Sequence, residues 1–151
     1  MDEYYSVIQF LPEPLRTELK AMPPERAARV QEIRLRAGQA AQFTVGGAWQ
    51  PAQQLLPAAQ TALAIGPRML RGCFSALCRD SAYAYEDELK QGYFTLPGGS
   101  RVGVAGVCGP AGFADITSLN LRVARQVPCV LPPQLCCALD ALHGGILVVG
   151  T

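Results

Sequence analysis

The chain has 151 residues, 50% of them apolar and 17% charged, with a net charge of +1. That length suffices for one full core with a small appendage, and that composition excludes an intrinsically disordered segment. Nothing in the bulk charge points to nucleic acid or an anionic membrane surface as partner.

The first ten residues, MDEYYSVIQF, carry two acids and no base, so they are not a secretory signal. Leu11, Leu15, Leu19 and Met22 recur at helical spacing, with Pro14 suited to a first helical turn. Pro23-Pro24 closes that helix and opens another, over about 24–31. In EIRLRAG, Ile33 and Leu35 alternate with Arg34 and Arg36, the period of a half-buried strand. Phe43, Val45 and Trp49 flank Gly46-Gly47, a two-residue hairpin signal, which gives strands near 32–37, 41–45 and 48–50.

Residues 51–62 are uncharged and rich in Ala, Gln and Pro, and read as a connection with room for a helical turn. Pro67 then opens a helix whose stripe is Met69, Leu70, Cys73, Phe74 and Leu77, through about Arg79. A short acidic helix or turn is expected at YAYEDELKQG. From Gly92 the period changes to two: Tyr93–Leu96, the turn Pro97–Ser100, Arg101–Cys108, the turn Gly109–Gly112, and Ser118–Arg125. These three strands form an antiparallel meander. Gly103, Gly106 and Gly109 fall inside or just after a strand, and read as close-packing or bulge positions. A linker over 128–133, a helix over 134–142 and an apolar strand over 145–149 end the chain.

The fold class is therefore α+β, with residues 1–127 as one domain and residues 128–151 as the start of another. The last strand, Ile146–Val149, is apolar on both faces, as in a parallel sheet covered by helices. No apolar run in the chain approaches the roughly 20 residues a membrane span needs. The six cysteines contain no C-x-x-C pair, and the single histidine, His143, reads as a helix cap, so no metal site is expected. Reduced, cytosolic core thiols are the simplest reading.

Three stretches, EIRLRAG (32–38), SAYAYEDELKQGYFTLPGGSRVGVAG (81–106) and DITSLNLRVAR (115–125), resemble the stage III sporulation protein AA family of endospore-forming bacteria. That family is similar to the ATPases of type II secretion and type IV pili. The resemblance implies an N-terminal α+β domain followed by a RecA-like core that opens with a strand and the loop G-x-x-x-x-G-K-[ST]. On that pattern 148–151 is the core's first strand with Gly150 and Thr151 at the start of the phosphate loop. The lysine and hydroxyl that bind phosphate and magnesium would lie beyond Thr151. ATP and Mg2+ are thus expected of the full-length protein, and no catalysis of residues 1–151 alone. The resemblance also implies a ring of copies, expected to be a hexamer, and a membrane protein like a secretion platform as partner. It implies a location in the mother-cell cytoplasm, at the membrane around the forespore.

Related secretion ATPases carry N-domain arginines that reach the nucleotide's γ-phosphate, and Arg101, Arg122 and Arg125 are the candidates here. A guanidinium suits that task because it stays charged and grips phosphate in a fork. The opposing reading is solvated strand-face arginines paired with Glu32, Glu86 or Glu88. Pro97-Gly98-Gly99 reads as a hairpin turn, although its N–H groups would also suit an anion. Two alternatives remain from the residues: a nucleic-acid module using the strand arginines with Tyr93 and Phe94, and an adaptor without ATPase activity. The low net charge opposes the first.

Overall fold

A computed structural model describes residues 2–56, 64–79, 81–109, 112–125 and 130–141. Helix α1 (Glu3–Ile8) is started by Asp2, whose side chain accepts from the Tyr4 N–H at 2.8 Å. Helix α2 (Leu15–Lys20) follows Pro14, and α3 (Pro24–Ala27) starts on Pro24. Leu11, Leu15, Leu19 and Met22 are all buried, as their spacing predicts. Tyr4 is buried with them and donates its hydroxyl hydrogen bond to the Leu19 carbonyl at 2.9 Å, so the one polar atom of that ring is satisfied.

Two boundaries differ from the sequence reading at this end. Helix α1 is additional, and its signal was present in Asp2 as cap with Tyr4, Val7 and Ile8 at helical spacing. Helix α3 stops at Ala27 and not near Gln31, because Val30 is the first buried position of strand β1 (Val30–Arg36).

Strand β2 (Gln39–Ala40) pairs with β5 (Ala64–Ile65) in a separate two-stranded ladder. Strands β3 (Gln42–Val45) and β4 (Ala48–Pro51) form the expected hairpin, with Gly46 and Gly47 at φ 59° and 84°, a turn that needs two left-handed residues. One turn of helix, α4 (Ala52–Leu55), stands inside the uncharged connection. Helix α5 (Pro67–Leu77) buries Leu70, Cys73 and Leu77. A 3-10 turn (Ala82–Tyr85) and α6 (Glu86–Leu89) form the acidic segment. Strands β6 (Tyr93–Thr95), β7 (Arg101–Gly109) and β8 (Gly112–Arg122) make the meander, and α7 (Pro133–Asp140) follows the linker.

Strand β8 starts at Gly112, not at Ser118, and Val123–Arg125 lie past its end. The alternation fails in its first half because the β7–β8 ladder shifts register twice, after Ala105 and after Val107. Gly106 sits at the first shift, where an added Cβ would stand 2.0 Å from the Asp115 carbonyl oxygen. Gly106→Ala is therefore expected to destabilise by about 1–3 kcal/mol, read as a lowered denaturation midpoint.

The hairpin and the meander are one antiparallel sheet of six strands in the order β4-β3-β1-β8-β7-β6, joined through β1 and β8. Cross-strand partners separate its two faces. Phe43, Ile33, Leu121, Val102 and Phe94 form one row, each at 0% exposure. The helices cover that face. The adjacent row, Trp49, Thr44, Glu32, Arg122, Arg101 and Thr95, stays on the uncovered face.

Cys73 and Cys78 are buried core thiols, pushed up by burial to about 12 and about 11, and so are inert as nucleophiles at neutral pH. Cys108, Cys136 and Cys137 are exposed, which corrects the reading of the cysteines as core residues. No helix among the described residues is long and apolar enough to cross a membrane.

Candidate functional site: an arginine-bearing sheet face

The uncovered face holds Arg34 and Arg36 on β1, Arg122 on β8 and Arg101 on β7. Period-two alternation sends all four to the same side. Arg34 is committed: its guanidinium lies 3.8 Å from the centre of the Trp49 ring, donates to Asn120 at 3.1 Å and pairs with Glu32 at 3.3 Å. This is a stacked, hydrogen-bonded arginine in a rigid setting.

Arg101 and Arg122 are direct cross-strand partners, and both are exposed. Arg101 stands 5.2 Å from the centre of the Tyr93 ring. Neither has an acidic partner among the described residues, although Glu32 is the next residue in Arg122's row. Like charges directly opposite in a ladder repel, and an anion between them would relieve that repulsion.

Arg125 has a different environment. Its side chain is 20% exposed, and Nη1 lies 3.0 Å from Asp2 Oδ2 and 2.9 Å from Glu3 Oε2. Its Nε donates to the Val30 carbonyl at 3.0 Å, and Nη2 donates to Asp2 Oδ1 at 3.2 Å and to the Ala27 carbonyl. The fork therefore ties the chain after β8 to α1 and to the α3–β1 corner. Every arm of this guanidinium is engaged inside the domain.

Gly150, Thr151 and His143 lie outside the described residues. The Pro97–Ser100 segment is a turn, with Gly98 and Gly99 at φ 96° and 86° and the Leu96 N–H bonded to the Ser100 carbonyl at 2.8 Å. Glu86 and Glu88 do not meet the arginines: Glu86 pairs with Lys90 at 3.3 Å, and Glu88 accepts from the Thr95 N–H at 2.8 Å. Phe94 is fully buried, so it is not part of an exposed stacking surface, and Tyr93 alone remains there beneath Arg101. Among the described residues no cluster of His, Cys, Asp and Glu could hold a metal.

Fold and face together define an α+β domain with helices on one side of a six-stranded sheet and arginines on the other. The chain belongs to the stage III sporulation protein AA family, whose model, described as "Sporulation stage III, protein AA", matches residues 1–143. It is 33% identical over 143 residues to stage III sporulation protein AA of Bacillus subtilis (strain 168), a match covering 85% of this chain and 41% of that protein. The chain thus spans well under half of that relative's length.

Among solved structures, it is similar to the VirB11 ATPase of the Brucella suis type IV secretion system, crystallised with sulphate. That match has a TM-score of 0.47 and 17% identity, over 93% of this chain and 37% of the other. It is also similar to the Legionella pneumophila ATPase DotB, with a TM-score of 0.41 and 14% identity, over 74% and 30% of the two chains.

Proposed function

We propose that this chain is the N-terminal regulatory and assembly domain of a sporulation ATPase of the secretion type, which energises a channel between mother cell and forespore. In this reading the motor core follows the domain, binds ATP and Mg2+, and assembles as a ring beneath a platform-like membrane protein. The domain would close over the nucleotide of the core and pass that motion to the membrane partner. Residues 1–151 contain lysine only at positions 20 and 90, so they hold no G-K-[ST] sequence, and the domain's part is positioning and sensing.

The observation that carries the reading is the opposed pair Arg101 and Arg122, exposed and without an acid partner among the described residues. Two adjacent forks suit the oxygens of a terminal phosphate, and each charge-assisted bond is worth about 1.5–3 kcal/mol. Alanine at both positions in the full-length protein is expected to lower kcat/KM for ATP about tenfold or more. Unchanged kcat and KM would reject the clamp. Arg125 enters differently, since reaching a nucleotide would require it to leave Asp2 and Glu3.

A further inference from the structure

Strand β6 has three residues and β7 has nine. Their ladder ends at Tyr93 and Gly103, with one more hydrogen bond from the Val104 N–H to the Gly92 carbonyl at 2.8 Å. Past that point no strand among the described residues pairs with β7 on this side. The chain before β6 turns into α6 and the 3-10 segment instead, so helix and strand edge face each other across a gap. A concavity of about 540 Å³ occupies it, floored by Phe74, Leu89 and Phe113 and reached by Cys108.

Three features of this gap are of one kind. Among the described residues no strand pairs with β7 from Ala105 to Gly109 on the β6 side, which leaves this edge open to a new neighbour, although the Ala105 carbonyl accepts from the Thr117 hydroxyl at 3.2 Å. The concavity lies on the helical face, where Phe113 meets Phe74 edge-on at 6.2 Å. Val107, on the opposite face of the same strand, is 59% exposed, and Tyr83 on the 3-10 segment is 85% exposed. A strand laid along β7 would answer all three, because its side chains alternate between the two faces. One row would enter the concavity and the other would cover Val107.

Charge selects the occupant further. On the helical rim Glu86 and Asp87 share a single lysine, with Lys90 Nζ at 3.3 Å and 3.1 Å from them. The rim keeps a net negative charge, and the Asp87 side chain is 96% exposed.

We propose that the β7 edge from Ala105 to Gly109 receives an extended peptide of a protein partner as an added strand. That peptide is apolar at alternate positions and basic at the flank facing Glu86 and Asp87. The site lies further along β7 than the Arg101–Arg122 pair, reaches the uncovered face only at Val107, and does not depend on the nucleotide clamp.

The test selects binders from a displayed library of random decapeptides on purified 1–151 and maps the enriched peptides by amide NMR shifts. The expected result is enrichment of alternating apolar sequences with Lys or Arg at one flank, with shifts centred on Val107, Cys108 and Gly109. Glu86→Lys with Asp87→Lys is expected to weaken those peptides about tenfold or more while leaving the denaturation midpoint in place. Failure to enrich any sequence would overturn the proposal. So would acidic sequences that shift the Arg101 and Arg122 amides, or groove shifts that grow with protein concentration alone and thus report a second copy as occupant.

Discussion

Replacing Phe94 with alanine is expected to cost about 3–5 kcal/mol, the largest effect of any single substitution considered for this domain. The ring is fully buried on the edge strand β6, opposite Val102. It meets Phe74 of α5 edge-on, with centroids 6.3 Å apart, and packs tilted against Tyr85 at 4.9 Å. Phe94 therefore fastens α5 and the acidic segment to the sheet, and its loss removes both transfer energy and the contacts that position α6. Urea denaturation gives the stability change directly. A second consequence follows for the peptide groove, whose helical wall is that same segment: peptides selected on the native chain should bind Phe94→Ala weakly even where it remains folded. Phe94→Leu keeps most of the volume and should cost less than half as much, about 1.5 kcal/mol.

The second large effect is expected at Arg125. Arg125→Ala removes the partner of Asp2 and leaves the carbonyls of Ala27 and Val30 without their donor. Breaking a fully buried pair costs about 3–5 kcal/mol, and the 20% exposure of this side chain lowers the expectation to about 2–3 kcal/mol. Arg125→Lys should recover little, since an ammonium cannot reproduce the fork to Asp2 together with the two carbonyls.

The pH dependence has a definite sign. Burial pushes the Asp2 carboxyl up, but hydrogen bonds from Arg125 and from the Tyr4 N–H outweigh it and hold the group below its ordinary 3.8. A carboxylate with a lowered folded value stabilises above 3.8 and loses that contribution as the pH falls through the lowered value. The stability gap between the native chain and Arg125→Ala should thus be full at about pH 7 and narrow as the pH falls below 3.8. A gap independent of pH would show that Asp2 is not the partner that matters. Arg101 and Arg122 remain exposed, whereas Arg125 is held by Asp2 and Glu3.

Much of this organisation was legible from local residue patterns. Gly46-Gly47 announced the β3–β4 turn because two left-handed positions admit little else. Pro67 and the Leu70, Cys73 and Leu77 spacing announced α5. Glycine within a strand announced a bulge at Gly106. The family was legible too, from 32–38, 81–106 and 115–125.

Other features had no local signal. Strand β1 pairs with β8 some 86 residues away, as in the bond between Arg34 and Asn120, and no turn residue encodes that junction. The junction sets which strand faces coincide, and so brings Arg101 beside Arg122 and Arg34 over Trp49. Alternation alone placed each arginine on a strand face, but it left the neighbours across the ladder undetermined. Arg125 was misleading for the same reason: its charge fitted an anion site equally well, and only the approach of α1 across 123 positions committed it to Asp2. The sequence by itself determined strand, turn and family, because those depend on residues a few positions apart. The tertiary structure decided which charges stay free, because a guanidinium's task depends on what the distant chain brings within about 3 Å of it.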